Sequence, residues 1–178
     1  MIKHFSFVVI LACFMTAATE TLVSQKQQER AVGLNSAADG EEWYLRAEDN
    51  AAELYVYEVG KGEPVVVVHG GFGAEYSSLL DAVSGLENSF RFVFYDQRGS
   101  LRSPAKPEFI SIENHVQDLE TLRKELGLEK MTIFAHSNGT LLTMHYLQKY
   151  PENIKNIVFV GAVSPKKGGS LDASKKPL

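Results

Sequence analysis

The stretch Met131-Thr132-Ile133-Phe134-Ala135-His136-Ser137-Asn138-Gly139 places a serine between a strand pattern and a helix pattern. Its first residues are apolar or β-branched and predict the end of a buried strand, whereas residues 140–147 have helical character. A serine at such a turn presents its hydroxyl outward, and the bent backbone tolerates only small residues two positions before and after it. Ala135 and Gly139 occupy these positions, so Ser137 is the predicted nucleophile.

A second glycine-rich turn lies upstream, where four valines (Val65–Val68) run into His69-Gly70-Gly71-Phe72-Gly73. Consecutive valines predict a strand that is buried on both faces of a parallel sheet. An oxyanion hole combines one backbone N–H of such a loop with the N–H of the residue after the nucleophile. The expected donors are therefore Gly71 or Phe72, together with Asn138. The expected structural residues of the two turns are His69, which braces its loop, and Gly70, Gly73 and Gly139.

The same loop does not match a nucleotide-binding fingerprint. Starting from Gly71, a GxGxxG pattern would require glycine at the position of Tyr76, and no Walker-type Gly-Lys-Ser/Thr occurs. The net charge of −4 comes without a basic stripe, so no nucleic acid partner is expected. We predict no metal and no cofactor, and the expected partner is a small-molecule or peptide substrate.

Between the two turns, Phe90–Tyr95 is followed by Asp96-Gln97-Arg98-Gly99-Ser100-Leu101-Arg102-Ser103. With the His69–Gly73 loop before it and Ser137 after it, this order resembles the N-terminal half of an α/β-hydrolase. The most similar types are the prolyl iminopeptidase-like serine peptidases and related esterases, which carry an HGGPG loop, a DQRGxGxS turn and an elbow serine. The resemblance covers residues 42 to about 164.

The resemblance implies an α/β fold with a mostly parallel sheet, an antiparallel N-terminal hairpin and helices on both faces. It implies a partial fold that lacks the C-terminal strands and the cap. Phe72, Leu101 and Asn138 differ from proline, glycine and tryptophan in the iminopeptidase pattern, which leaves esterase and lactonase activities open. We expect Asp96 and Arg98 to brace the top of the sheet through a local ion pair.

The first residues indicate export. Lys3 and His4 precede an apolar run that ends in small residues, which predicts a secretory signal over residues 1–18 and a secreted or periplasmic protein. The apolar run is too short for a stable membrane span. An alternative is a lipoprotein box that ends at Cys13, with a lipid anchor on this cysteine.

The remaining pattern gives the domain boundaries. Residues 19–40 predict a polar linker, 41–164 the N-terminal part of the hydrolase domain, and 165–178 a disordered tail. An amphipathic helix is expected to begin after Ser111 and to end at Gly127, with a solvated charged face that carries His115 on the surface. The predicted strands of the domain are residues 43–46, 53–59, the valine run, the segments before Asp96 and Ser137, and 154–160.

Serine needs a general base, usually a histidine that is oriented by a carboxylate, and in this fold both follow the nucleophile in the chain. After Ser137 the one histidine is His145, which lies in the next predicted helix, and the tail carries Asp172. The catalytic acid and histidine are therefore expected to be missing, as in a truncated chain that is inactive alone. Two alternatives remain open: a non-catalytic α/β-hydrolase-like binding protein, and a product without function.

Overall fold

The computed structural model describes residues 40–71 and 73–163. The predicted signal peptide, the lipid-anchor alternative at Cys13, the linker up to residue 39, Phe72 and the tail lie outside the described residues. The described chain forms six strands: β1 (Glu41–Arg46), β2 (Glu53–Gly60), β3 (Glu63–Val68), β4 (Phe90–Tyr95), β5 (Met131–His136) and β6 (Ile154–Val160). Its helices are α1 (Leu80–Val83), α2 (Ile112–Glu125) and α3 (Asn138–Lys149), and 3₁₀ turns cover Tyr76–Leu79, Pro107–Phe109 and Pro151–Asn153.

The strands form one sheet in the order β1-β2-β4-β3-β5-β6. β1 and β2 make an antiparallel hairpin, and β2 pairs antiparallel with β4. β4, β3, β5 and β6 are all parallel, with Val67 opposite Phe94 on one side and opposite Phe134 on the other. This mostly parallel sheet confirms the predicted α/β architecture and its antiparallel opening.

Both faces of the sheet are covered, as the valine run predicts. On one face, alternate residues of β3, β4 and β5 pack against α2 and α3; they include Val66, Val93 and Ile133, with Leu119 and Leu142 from the helices. On the other face, a second cluster joins the sheet to the 3₁₀ turn and α1. This second cluster contains Val65, Val67, Phe92, Phe94, Tyr76, Leu79 and Val83.

The helix α2 begins and ends as the sequence indicates. The Ser111 hydroxyl accepts a hydrogen bond from the backbone N–H of Asn114 at 3.2 Å, which satisfies one of the free amides of the first turn. At the other end Gly127 adopts φ 66°, and its neighbour Leu128 donates to the carbonyl of Arg123 at 3.1 Å. This is a Schellman-type end, in which glycine takes the left-handed conformation without a steric penalty.

The parallel strands bring the predicted motifs to one edge of the sheet. β3, β4 and β5 end at Val68, Tyr95 and His136, and the loops that follow them carry the glycine-rich turn, the Asp96 turn and Ser137. Because the carboxyl ends of parallel strands lie at the same edge, three segments that are distant in the chain meet there. This edge is where open α/β sheets bind ligands.

The strand β6 is an edge strand of the described sheet. Its only strand partner among the described residues is β5, and Val158, Phe159 and Val160 are 48 %, 40 % and 43 % exposed. An apolar strand with a free edge can pair with another chain.

None of the helices in the described part of the chain combines the length and the apolar character that crossing a bilayer requires.

We predict that the chain self-associates through β6 and that Val158→Lys reduces this association, because a charged edge residue opposes strand pairing. Sedimentation velocity at increasing concentration measures the effect. Tyr44→Lys is the matched control, since Tyr44 is an exposed apolar residue of β1 at the opposite edge. A monomeric unsubstituted chain with a cooperative unfolding transition would contradict the prediction.

Candidate active site

Ser137 lies where β5 ends and α3 begins, at the turn that the sequence predicts. Its backbone has φ 51° and ψ −124°, and Asn50 is the other non-glycine residue with positive φ in the described ranges. A side chain in this region of φ/ψ space strains the backbone by about 1–3 kcal/mol, and such strain concentrates at functional sites. The serine is half-buried.

Gly70 and Gly139 lie at two close approaches between the glycine-rich loop, β3 and the Ser137 turn, where a side chain would clash. A Cβ on Gly70 would lie 2.6 Å from the Cβ of Ser137, and a Cβ on Gly139 would lie 2.4 Å from the carbonyl oxygen of Val68. The glycine-rich loop after β3 and the turn after β5 are therefore in direct contact. This contact explains why glycine occupies positions 70 and 139.

The N-terminus of α3 and the glycine-rich loop after β3 both lie beside Ser137. Asn138 is the first residue of α3, and helix geometry leaves the first amides without an acceptor inside the helix. Gly71 has φ 70° and continues the loop whose preceding residue contacts Ser137. Gly73 also has positive φ, at 86°, so it permits the loop to turn. The oxyanion role of Gly71, Phe72 and Asn138 stays a prediction.

His69 braces the loop through both ring nitrogens. Its Nε2 accepts a hydrogen bond from the backbone N–H of Gln97 at 3.1 Å, and its Nδ1 lies 3.0 Å from the carbonyl oxygen of Gly70. These partners require a neutral ring with the proton on Nδ1. Burial lowers the pKa of His69, which also favours the neutral form. His69 thus joins the glycine-rich loop to the Asp96 turn, in agreement with the structural role that we expected.

The predicted ion pair between Asp96 and Arg98 is wrong. The Arg98 side chain binds the carboxylate of Asp118 on α2 in a bidentate manner, with two N–O distances of 2.6 Å, and also binds Asp49 at 2.8 Å. It donates a further hydrogen bond to the carbonyl of Phe109 at 3.0 Å. Burial opposes the charge of Arg98, but the hydrogen bonds that Arg98 donates to Asp118 and Asp49 outweigh burial and raise the pKa of the guanidinium. The sequence order alone does not reveal these partners.

Asp96 instead fixes the entrance to the 3₁₀ turn. Its Oδ1 accepts a hydrogen bond from the backbone N–H of Tyr76 at 2.8 Å, and its Oδ2 lies 3.6 Å from a guanidinium nitrogen of Arg102. The Arg102 guanidinium stacks over the rings of Tyr55 and Tyr76 at 5.1 Å and also pairs with Glu75. Asp96 therefore anchors the chain that leaves the glycine-rich loop, which is a structural role.

The expectation of a solvated charged face on α2 is also wrong. His115, Asp118 and Glu120 are buried, with 1 %, 1 % and 3 % of their surfaces exposed. Glu120 binds Arg123 at 2.7 Å and accepts the hydroxyl of Tyr146 at 2.7 Å, so it links α2 to α3. Burial raises the pKa of Glu120, but the hydrogen bonds from Arg123 and Tyr146 outweigh it and lower the pKa to about 2.

The four described histidines are His69, His115, His136, which directly precedes Ser137, and His145. Among the described residues, the Ser137 hydroxyl forms no hydrogen bond with a histidine. His69 and His115 are buried, and His145 lies two turns along α3 beside Ile112 and Val116 of α2. In residues 40–71 and 73–163, no three His, Cys, Asp or Glu side chains lie together as a metal-binding group.

The chain belongs to the α/β hydrolase fold family, whose model matches residues 63–175. It is similar to the proline iminopeptidase of Heyndrickxia coagulans, with 34 % identity over 104 residues, which are 57 % of this chain and 36 % of that relative. It is 37 % identical over 115 residues to a proline iminopeptidase of Neisseria meningitidis, which are 61 % of this chain and 36 % of the relative. The chain thus matches just over a third of the length of these relatives.

Two solved structures show the same fold. A proline iminopeptidase-related protein from Thermus thermophilus superposes with a TM-score of 0.61 and 30 % identity, over 67 % of this chain and 44 % of that protein. An epoxide hydrolase from Vigna radiata superposes with a TM-score of 0.66 and 24 % identity, over 75 % of this chain and 44 % of that protein. The second likeness concerns the fold alone. Both structures confirm the predicted partial α/β-hydrolase architecture, and the family model confirms the predicted family.

We predict that Arg98→Met destabilises the folded chain by about 3–5 kcal/mol, because it leaves the buried carboxylate of Asp118 without its cation. Urea unfolding followed by circular dichroism measures the loss. Arg46→Met is the matched control, since Arg46 pairs with Glu53 at a similar distance of 2.9 Å on the surface. Exposed pairs contribute about 0–1 kcal/mol, so equal effects of the two substitutions would contradict this assignment.

We also predict that stability falls when the pH is lowered from about 6.5 to about 4. Burial, together with the positive charge of Arg98, lowers the pKa of His115 to about 4, below the value of 6.5 in an unfolded chain. The unfolded chain therefore binds this proton first, and the stability present above pH 6.5 is lost on acidification. The contribution of His115 between pH 7 and pH 4.5 is about 2 kcal/mol, from about 1.4 kcal/mol for each pKa unit.

Urea unfolding of the chain and of His115→Gln at several pH values measures this contribution. Glutamine cannot take up the proton, so the variant should lose less stability between pH 7 and pH 4.5. Parallel stability curves for the two proteins would show that His115 does not titrate in this way.

Proposed function

We propose that this chain carries the nucleophile and the oxyanion donors of a serine hydrolase that transfers an acyl group from an amide or ester to water. The observation that carries this proposal is the position of Ser137, strained at the end of β5, with the N-terminus of a helix behind it and a glycine loop against it. This arrangement suits an exposed hydroxyl that attacks a carbonyl, because the backbone amides can hold the negative charge that develops on the carbonyl oxygen.

The proposed substrates are peptides with a free N-terminus, as in an aminopeptidase or iminopeptidase. The support is the 34 % and 37 % identity to the two proline iminopeptidases named above, over 57 % and 61 % of this chain. Esterase or lactonase activity is the alternative chemistry, because the same nucleophile and oxyanion donors serve any acyl compound. We propose an exported protein on the basis of residues 1–18, with a lipid anchor at Cys13 as the alternative.

The proposed acid and base of the whole protein come from outside the described residues. A serine without a base is a poor nucleophile, and the Ser137 hydroxyl has no histidine partner in the described ranges. The relatives are nearly three times as long as the matched segment, since the alignment covers 36 % of their length. The activity and substrates of the whole protein therefore belong to this proposal.

A fluorophosphonate probe tests the proposed nucleophile in the full gene product, which includes the proposed acid and base. We expect a covalent adduct on Ser137, detected by mass spectrometry of the digested protein, because an activated serine in an oxyanion site attacks phosphorus. Ser137→Ala should abolish the adduct, whereas Ser84→Ala, at an exposed serine after α1, should leave it unchanged. Proline and alanine naphthylamides, together with a nitrophenyl ester, then separate iminopeptidase, aminopeptidase and esterase activities.

Absence of labelling would contradict the proposal that this protein is a hydrolase. It would instead favour a non-catalytic α/β-hydrolase-like protein that binds a small acyl ligand at the same edge of the sheet. Labelling at a serine other than Ser137 would contradict the assignment of the nucleophile.

A further inference from the structure

Thr140 holds the carbonyl group of Ser137 from two sides. Its hydroxyl donates a hydrogen bond to the carbonyl oxygen of Ser137 at 2.6 Å, and its backbone N–H donates to the same oxygen at 3.0 Å. The threonine is fully buried on the first turn of α3. Both donors therefore act on the nucleophile's own peptide group.

The same hydroxyl also binds the chain that leaves β6. Thr140 Oγ1 accepts a hydrogen bond from the backbone N–H of Val163 at 3.0 Å. On the other side of the turn, the N–H of Ser137 donates to the carbonyl of Val160, also at 3.0 Å. The segment from Val160 to Val163 thus contacts the turn at two points, and one of these contacts runs through the threonine hydroxyl.

These contacts matter because the conformation of Ser137 is unfavourable for a serine. With φ at 51°, the residue relaxes unless its neighbours hold the peptide groups on both sides. The N–H side is held by β6, and the carbonyl side is held by Thr140. The hydroxyl of Thr140 uses its proton for Ser137 and a lone pair for Val163, so a methyl group in its place loses both contacts.

We propose that Thr140 is a positioning residue, whose hydroxyl joins the carbonyl of Ser137 to the chain after β6 and so keeps the Ser137 side chain beside the backbone amides at the N-terminus of α3. This proposal rests on the proposed function, because the position of the side chain matters for chemistry only if Ser137 reacts. Thr140 is not assigned a direct contact with substrate.

A thiol at position 137 reports this position without requiring a catalytic base. In the full chain with Cys13→Ser and Ser137→Cys, the pH dependence of the iodoacetamide reaction gives the pKa of the thiol. A thiol beside helix N-terminal amides has a pKa below the usual value of about 8.5. Adding Thr140→Val should raise this pKa by about one unit, so the thiolate fraction at low pH falls about tenfold. Thr140→Ser, which retains the hydroxyl, should restore the low pKa.

Thr143→Val is the matched control. Thr143 is also fully buried in α3, but its hydroxyl donates to the carbonyl of Gly139 at 2.8 Å instead of to Ser137. The substitution should lower stability in urea without changing the pKa of the thiol. An equal pKa shift in Thr140→Val and Thr143→Val, or none in Thr140→Val, would overturn the proposal, as would an ordinary pKa in the parent thiol protein.

Hydrogen exchange of the unsubstituted chain gives a second measurement in case Thr140→Val does not fold. The Val163 amide should exchange slowly, since it donates to a buried hydroxyl, and rapid exchange at this amide would overturn the proposal. A different result would contradict the hydrolase proposal and leave the positioning role of Thr140 intact. In that case the fluorophosphonate probe does not react, although the thiol retains its low pKa and its dependence on Thr140.

Discussion

The parallel pairing of β3 with β5 is the constraint on which the site depends. Because Val68 lies opposite Ala135, the two strands end together, and the loop after one meets the turn after the other. Only glycine fits at positions 70 and 139, where a Cβ would lie 2.6 Å or less from the opposite segment. A shift of this register by one residue would separate the glycine loop from Ser137 and would also turn the valines of β3 to the wrong face.

Buried charges hold the loops of this edge in their places. Arg98 connects the turn after β4 with Asp49 in the β1–β2 hairpin and with Asp118 on α2, and every N–H of its guanidinium has an acceptor. Removing two charges from water is unfavourable, so such a group contributes less to net stability than to a defined arrangement of the segments that it joins. His69 works in the same way without a net charge, since its neutral ring connects Gly70 with Gln97.

Features that follow from a local sequence pattern could be predicted correctly. Contacts between residues that are distant in the sequence could not. The small-x-Ser-x-Gly turn and the valine run are local, and both occur as expected. Arg98 finds its partners 49 and 20 residues away, which no local pattern indicates. His115 was predictable, because it precedes Leu119 by four residues and Leu122 by seven, which places it on the buried face of α2. The polarity of His115 favours the surface, but its helical position determines its burial.

The contacts that position Ser137 all come from residues 68–163, whereas the proposed base lies outside the described residues. Positioning and activation are therefore separable in this fold. In α/β hydrolases the acid and the histidine follow the nucleophile in the chain, so the proposed base approaches Ser137 from beyond β6. The carbonyl of Val160 already binds the N–H of Ser137, and Gly161, with φ 59°, turns the chain next to the His136 ring. The exit from β6 is consequently the place where an activating residue and the positioned serine can meet.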